Sequence, residues 1–178
     1  MLTAFILLSG CQTNTDVKNT ATKAIPDKSV AQEKVQSSIK AAEERDEAKW
    51  NFYYNSRFGF SIKYPLGWTA GEESDNGDGK ALYVGNPDVD IIMYAHYYNE
   101  DLSPYNYPDS LRLQRLKLDS GIEADMLIGY ENERYVMDVF AISSEDIEYH
   151  YKVNVSKEFF NKNEDVLLKV AKSINFPK

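Results

Sequence analysis

The chain has 178 residues, of which 43% are hydrophobic and 13% aromatic, a composition that suits one globular domain with flanking segments. Its formal charge of −8 at pH 7 repels phosphate backbones, which excludes nucleic acid as an expected partner. Cys11 is the only cysteine, so disulfides are excluded and the domain has no thiolate for catalysis or metal binding.

An uncharged, mostly apolar segment, residues 2–10, runs directly into Cys11. It is too short for a membrane-spanning helix, which takes about 20 apolar residues, and it fits the apolar region of an export signal. The four residues Leu8, Ser9, Gly10 and Cys11 resemble the lipobox of bacterial lipoproteins. The resemblance implies cleavage before Cys11 and a diacylglyceryl group on its sulfur, and two acyl chains anchor a protein stably.

This interpretation places the protein at the extracytoplasmic face of a bacterial cell membrane, held by lipid on Cys11. Signal peptides normally open with Lys or Arg, whereas no basic residue precedes Lys18 here, so we expect translation to start further upstream. The alternative is a short buried apolar segment with an incidental cysteine. The polar residues after Cys11 are poorly suited to cover such a segment.

Residues 12–49 are polar, hold no aromatic residue and are predicted to form a flexible tether. Their positive and negative charges cancel, so the whole net charge falls on the domain. Residues 29–49 contain no Gly or Pro and favour partial helix, but Val30, Val35 and Ile39 are too sparse for a coiled coil. We therefore expect a signal peptide over 1–10, a lipidated tether over 11–49 and a globular domain over 50–178.

Alternation of apolar and polar residues predicts several strands in the domain. One strand places Phe58, Phe60, Ile62 and Tyr64 on a single face and ends at Pro65. Residues 147–155 give the clearest pattern, with Glu148, His150 and Lys152 on a face expected to be wet. Further strands are predicted over 81–84, 89–98, 124–130 and 134–142, and these indicate antiparallel hairpins.

Two other segments of the domain have different patterns. Residues 111–118 are ambiguous, since their leucines fit both faces of a strand, and a bulge or a short helix would resolve the conflict. At the end of the chain, Asn161 resembles a helix N-cap with its reciprocal Glu164, and Leu167, Val170, Ala171 and Ile174 share one helical face. Strands closed by a terminal helix predict an α+β domain.

The segment Tyr53–Trp68 resembles the opening of PsbP-like domains, also called Mog1/PsbP-like, in which a Gly-Phe-Ser strand runs into Tyr-Pro and then Trp. The ending Ser173-Ile174-Asn175-Phe176 is similar to the family's Ser-Phe-x-Phe, with Ile in place of the first Phe. The resemblance implies an antiparallel sheet with helices on both faces, an α/β/α sandwich. It also implies a binding or accessory role more than a catalytic one.

No catalytic constellation emerges from the residues. A Gly-x-Ser-x-Gly nucleophile elbow is absent from the sequence, and the two histidines, His96 and His150, both fall on predicted strands. For His150 we expect a solvated side chain, and for His96 a hydrogen-bonded histidine of the core or its rim rather than a ligand.

Two segments are candidates for binding. The loop over residues 71–79 holds the potential calcium ligands Glu73, Asp75 and Asp78 beside Glu72, although Gly77 breaks the EF-hand spacing, and a solvated loop is the alternative. The second segment is rich in tyrosines, which favour recognition surfaces but also fill cores. These are Tyr94, Tyr97, Tyr98, Tyr105 and Tyr107.

From these observations the first hypothesis is a noncatalytic binding or accessory module of the cell envelope with a protein partner and no cofactor. The second is a calcium- or small-ligand-binding envelope protein that uses the acidic loop, and the third is an envelope hydrolase.

Overall fold

The structure, a computed structural model, describes residues 49–102 and 104–177. The predicted signal peptide, Cys11 and the tether up to residue 48 lie outside the described residues and stay predictions. The described strands are β1 Trp50–Tyr54, β2 Ser61–Pro65, β3 Thr69–Ala70, β4 Gly79–Tyr83, β5 Asp90–Tyr97, β6 Leu111–Lys117, β7 Glu123–Glu131, β8 Arg134–Ile142 and β9 Ile147–Val155. A 3-10 turn, Glu100–Leu102, follows β5, and helix α1, Lys157–Lys172, follows β9.

Seven strands form one antiparallel sheet in the order β3-β4-β5-β9-β8-β7-β6, and β1 and β2 form a separate antiparallel hairpin. The predicted hairpins are confirmed, because β4 pairs with β5 and β7 pairs with β8, both antiparallel. The last strand in sequence, β9, lies between β5 and β8, so it occupies the middle of the sheet.

One face of this sheet carries the main core. Helix α1 contributes Leu167 and Val170 to that core, and the β1–β2 hairpin contributes Phe60 and Ile62. Aromatic contacts tie these layers together: the ring of Tyr135 on β8 stacks on Phe160 of α1, with centroids 3.7 Å apart. Burying large aliphatic and aromatic side chains between sheet, helix and hairpin is the main stabilising contribution available to a domain without disulfides.

The ambiguous segment 111–118 contains a continuous strand, β6, with an unbroken register from Leu111 opposite Gly129 to Lys117 opposite Glu123. Leu116 joins the main core, whereas Leu111 packs with Leu127 in a small cluster on the opposite face. The leucines fit both strand faces because both faces of the sheet are covered here.

The helix begins earlier than the sequence predicted. Ser156 is the N-cap, and its side chain accepts a hydrogen bond from the backbone N–H of Phe159. Asn161, predicted as the N-cap, lies inside the first half of α1. The prediction was wrong because Ser156 directly follows the last residue of β9, where a serine satisfies the free N–H groups of the first turn.

The described residues therefore form mostly antiparallel sheet with one C-terminal helix, which lies on one face only. The second face is partly covered by the chain between β5 and β6. We call residues 98–102 and 104–110 the crossing segment. None of the helical residues described makes up a span long and apolar enough to cross a bilayer.

Candidate functional site

The crossing segment and the second face of the sheet enclose a cleft of about 500 Å³. Apolar side chains from β6, β7 and β8 line one part of it, and charged or aromatic side chains from β5, β8 and β9 line the rest. The crossing segment is held over the sheet by Tyr105, whose hydroxyl donates a 2.5 Å hydrogen bond to Asp125 of β7 and whose ring meets Phe140 edge to face.

Strand register brings the polar side chains of the cleft together. In the pairing of β5 with β9, Tyr94 lies opposite His150 and His96 lies opposite Glu148. Alternate residues of a strand share a face, so all four side chains lie on the cleft side of the sheet. Strand β8 adds Asp138 to the same face, beside β9.

His150 lies between two carboxylates in the floor of the cleft. Its Nδ1 is 2.9 Å from Oδ1 of Asp138, and its Nε2 is 3.1 Å from Oε1 of Glu148. The ring is stacked on Tyr94, with centroids 4.8 Å apart and an angle of 6° between the planes. Contacts on both ring nitrogens and on the ring face hold the imidazole in one orientation.

The charges around His150 favour its protonated form. Burial disfavours the imidazolium and lowers its pKa, but the hydrogen bonds and negative charges of Asp138 and Glu148 outweigh burial and raise the pKa of His150 to about 9. Burial, followed by the charges of Asp138 and Glu148, raises the pKa of Tyr94 well above its usual range, so its hydroxyl stays protonated.

Glu148 lies beneath the cleft with its side chain 0% exposed, and among the described residues its carboxylate is compensated only by the two imidazoles. The protonated imidazole of His150 pairs with Oε1 of Glu148 at 3.1 Å. His96, on the neighbouring strand, places Nε2 3.8 Å from Oε2 of Glu148 while its Nδ1 lies 2.8 Å from the carbonyl oxygen of Tyr97. Oε2 has no hydrogen-bond partner among the described residues, and a buried carboxylate oxygen without one is costly unless something else binds it.

We expected one face of β9 to be exposed to solvent, and this prediction was wrong for the residues near the middle of the strand. Glu148 and His150 are buried, as are Tyr149 and Tyr151 on the opposite face. The crossing segment and the neighbouring strands cover the second face, and no pattern within residues 147–155 reveals that cover. Sequence reasoning missed one signal. Two strands each place polar side chains two residues apart on one face, Tyr94 and His96 on the first strand and Glu148 and His150 on the second.

The five predicted binding tyrosines do not share one surface. Tyr94 and Tyr107 line the cleft, and Tyr105 fastens the crossing segment above it. Tyr97 lies on the opposite face, exposed, with its ring against Phe58. Tyr98 anchors the chain through its backbone N–H, which donates to the carbonyl of Asp146. The structure thus brings three of the five to the cleft.

The acidic loop has partners for two of its three predicted calcium ligands. Glu73 accepts hydrogen bonds from Tyr53 at 2.5 Å and Asn55 at 2.9 Å, and it lies 3.5 Å from the ammonium of Lys80.

Asp78 pairs with Arg57 at 3.3 Å and accepts from Asn76 at 2.7 Å, and Asp75 is exposed. Within residues 49–102 and 104–177, the one group of three or more His, Cys, Asp or Glu side chains whose ligand atoms converge is His96, Glu148 and His150. The calcium prediction for this loop stays a prediction.

Comparison with known structures supports the fold. The chain is similar to the solution structure of cyanobacterial PsbP (CyanoP) from Synechocystis sp. PCC 6803, with a TM-score of 0.53 and 12% sequence identity over 73% of this chain and 94% of that one. The similarity shows a PsbP-like fold. No protein-family model matches the sequence, and no curated protein matches it either.

Proposed function

We propose that this protein is a noncatalytic binding or accessory module, anchored by lipid on Cys11 at the extracytoplasmic face of a bacterial membrane, and that its ligand site is the cleft. The observation that carries the proposal is that His96 and His150 line a cavity of about 500 Å³ and converge there with Glu148, which is buried beneath them. Binding pockets of this size combine apolar walls with a few converging polar groups.

The two kinds of wall suit a small polar ligand or a single side chain of a partner protein. Leu111, Leu127 and Val136 offer apolar contact on the β6–β8 side. Lys152 and Glu131 lie near the rim and offer charges of both signs. A ligand with one charged and one apolar end fits this distribution of surface.

The anchor is supported by the lipobox-like residues before Cys11 and by the polar composition of residues 12–49. A flexible tether of this length has a root-mean-square end-to-end distance of about 35 Å, which holds the domain away from the lipid surface. The α/β/α sandwich implied by the resemblance to PsbP-like domains remains part of this proposal, with a second helical layer beyond the one described.

The binding role is tested by filling the cleft. Val136→Trp adds bulk from β8 into the cavity, and Leu66→Trp adds the same group at an exposed position that does not line it. We expect a library of small polar compounds to shift backbone amide NMR signals of Leu127, His150 and Lys152 in the wild-type chain and in Leu66→Trp, but not in Val136→Trp. Shifts that persist in Val136→Trp, or none in any chain, would contradict the proposal.

The anchor is tested separately by intact-mass analysis of the native protein extracted from membranes. We expect the first ten residues to be missing and the mass of Cys11 to be raised by a diacylglyceryl group. Cys11→Ser is expected to remain uncleaved and unlipidated. A free thiol on Cys11 with the leader still attached would overturn the location but not the cleft.

A further inference from the structure

Three side chains at the floor of the cleft, two that line it and one buried beneath them, present a set of metal-ligand atoms. One ligand atom from each of His96, Glu148 and His150 lies within 4.8 Å of the others, and the Nε2 atoms of both histidines face the carboxylate of Glu148. All three residues belong to the paired strands β5 and β9 in the sheet interior, so the backbone holds them in a fixed relation. Sites built on sheet strands are more precise than sites on loops.

Both imidazoles are already oriented for coordination through Nε2. The Nδ1 atom of His150 faces the carboxylate of Asp138 at 2.9 Å, and that of His96 faces the carbonyl of Tyr97 at 2.8 Å. A carboxylate or a backbone carbonyl on the far nitrogen is the usual support of a metal-binding histidine, because it fixes the tautomer and turns the other nitrogen toward the ion.

Glu148 supplies the independent observation. It is completely buried, its Oε1 pairs with Nε2 of His150 at 3.1 Å, and its Oε2 has no hydrogen-bond partner among the described residues. Its two oxygens face the Nε2 atoms of the two histidines, at 3.1 Å for His150 and 3.8 Å for His96. Buried carboxylates are normally paired with a hydrogen-bonding cation or coordinate a metal.

We propose that His96, Glu148 and His150 form a binding site for one divalent transition-metal ion of the Zn²⁺ class. The inference deepens the proposed function and rests on it, since the ion lies in the floor of the cleft and its free coordination position faces the cleft ligand. Two imidazoles and one carboxylate suit Zn²⁺ and its neighbours, whereas Ca²⁺ and Mg²⁺ prefer sites made of oxygen ligands. Three protein ligands leave a position for water or for a donor atom of the ligand.

The site is tested on the full chain without a polyhistidine tag, with ZnSO₄ as the titrant in calorimetry and CoCl₂ as a spectroscopic probe. We expect one ion per chain and a visible absorption band for Co²⁺ that Zn²⁺ displaces. His96→Gln, His150→Gln and Glu148→Gln are each expected to weaken Zn²⁺ binding by about 100-fold or more. Glu145→Gln, an exposed glutamate in the preceding turn, is the matched control and is expected to bind as the wild type does.

Asp138→Asn tests whether the carboxylate on Nδ1 of His150 supports metal binding. We expect the affinity for Zn²⁺ to fall by about tenfold while one ion is still bound per chain. His96 is only half-buried, so His96→Gln keeps the test valid should a variant at the more buried His150 fail to fold.

The outcomes separate this inference from the proposed function. Loss of binding in the three ligand variants, with binding kept in Glu145→Gln, supports the site. Zn²⁺ binding that survives in His96→Gln and His150→Gln would place the ion elsewhere and overturn the site. No Zn²⁺ or Co²⁺ binding, together with compound-induced shifts at the cleft, would overturn the metal site and leave the binding module intact. Absence of both would overturn both.

Discussion

The two faces of the seven-stranded sheet are buried by different means. The face beneath α1 is covered by a regular helix and a hairpin and is filled with apolar side chains such as Leu167, Val153 and Met137. The face beneath the crossing segment is covered by irregular chain, and its buried groups include Asp138, Glu148 and His150. The first arrangement stabilises the fold, and the second keeps charged groups in a fixed geometry inside a cleft.

The two faces of the sheet contribute differently to stability and to binding. Apolar packing lowers the free energy of the folded state most where no polar group has to be buried. The polar face gives up part of that stabilisation, and the crossing segment leaves a cavity rather than filling it. Four experiments test this contrast between the two faces.

The largest effect is expected on the apolar face. Leu167→Ala removes a fully buried side chain of α1 and should lower the free energy of unfolding by about 2–5 kcal/mol. Leu113→Ala removes the same atoms from the edge strand β6, where the side chain is 39% exposed, and should cost less than about 1 kcal/mol. Urea denaturation of both variants measures the difference. Equal losses would mean that the main core does not lie beneath α1.

The next effect is a pH dependence that comes from the polar face. The pKa of His150 is raised from 6.5 to about 9, so the folded state holds a proton that the unfolded state has released. This contribution is fully present below pH 6.5 and is lost as the pH rises through 9. We expect the free energy of unfolding, measured with a chelator present, to fall by on the order of 2 kcal/mol across this window.

The control for this pH dependence is His150→Gln, in which the profile should become nearly flat over the same range. The groups that face the imidazole are the carboxylates of Asp138 and Glu148 and the rings of Tyr94, His96 and Phe140. Of these, Asp138 and Glu148 stabilise the extra proton. A wild-type profile as flat as that of the variant would contradict the buried ion pairs.

A smaller effect is expected where the crossing segment is fastened. Tyr105→Phe removes the hydrogen bond to Asp125 and leaves a buried carboxylate with one partner fewer, which should cost about 1–2 kcal/mol. Tyr54→Phe, on the exposed side of β1, removes an equivalent hydroxyl and should leave stability unchanged. Hydrogen exchange should also quicken over residues 104–110 in Tyr105→Phe alone. Unchanged exchange there would show that another contact holds the segment.

The smallest effect is expected at the start of α1, on the apolar face. Ser156→Ala removes the N-cap hydrogen bond to Phe159 and should lower the free energy of unfolding by about 1 kcal/mol. Asn161→Ala should leave it unchanged or raise it slightly, since Asn161 is an exposed interior helix position where alanine is favoured. Thermal melts of the two variants decide between the two possible caps, and a larger loss for Asn161→Ala would favour the sequence-based choice.

Much of the fold was predictable from local patterns. The alternation over residues 147–155 identified β9, and the apolar spacing after Leu167 identified α1, because each pattern depends only on neighbours along the chain. The resemblance of Tyr53–Trp68 to PsbP-like domains agreed with the structural similarity to cyanobacterial PsbP. The start of α1 was misplaced because two residues of the same segment, Ser156 and Asn161, both have side chains that cap helices.

The candidate site was not predictable in the same way. His150 was expected to be solvated, because apolar and polar residues alternate along its strand as they do in a strand with one solvent-exposed face. Its burial depends on which strand pairs with β9 and on where the crossing segment runs, and both are long-range properties. The register that sets His96 opposite Glu148 is fixed by the whole sheet. Tyr94, His96 and Tyr107 were singled out by residue type, but their common cavity was not.

Both histidines of the chain lie in the cleft, and the sequence holds two in total. In D₂O, once the exchangeable N–H protons are replaced by deuterium, the C2 protons of imidazole resonate downfield of the other aromatic ring protons. In this protein those signals come from the floor of one cavity and from nowhere else. An unlabelled, unmodified sample therefore carries its own pair of reporters, and occupancy of the cleft can be followed without any tag, probe or substitution.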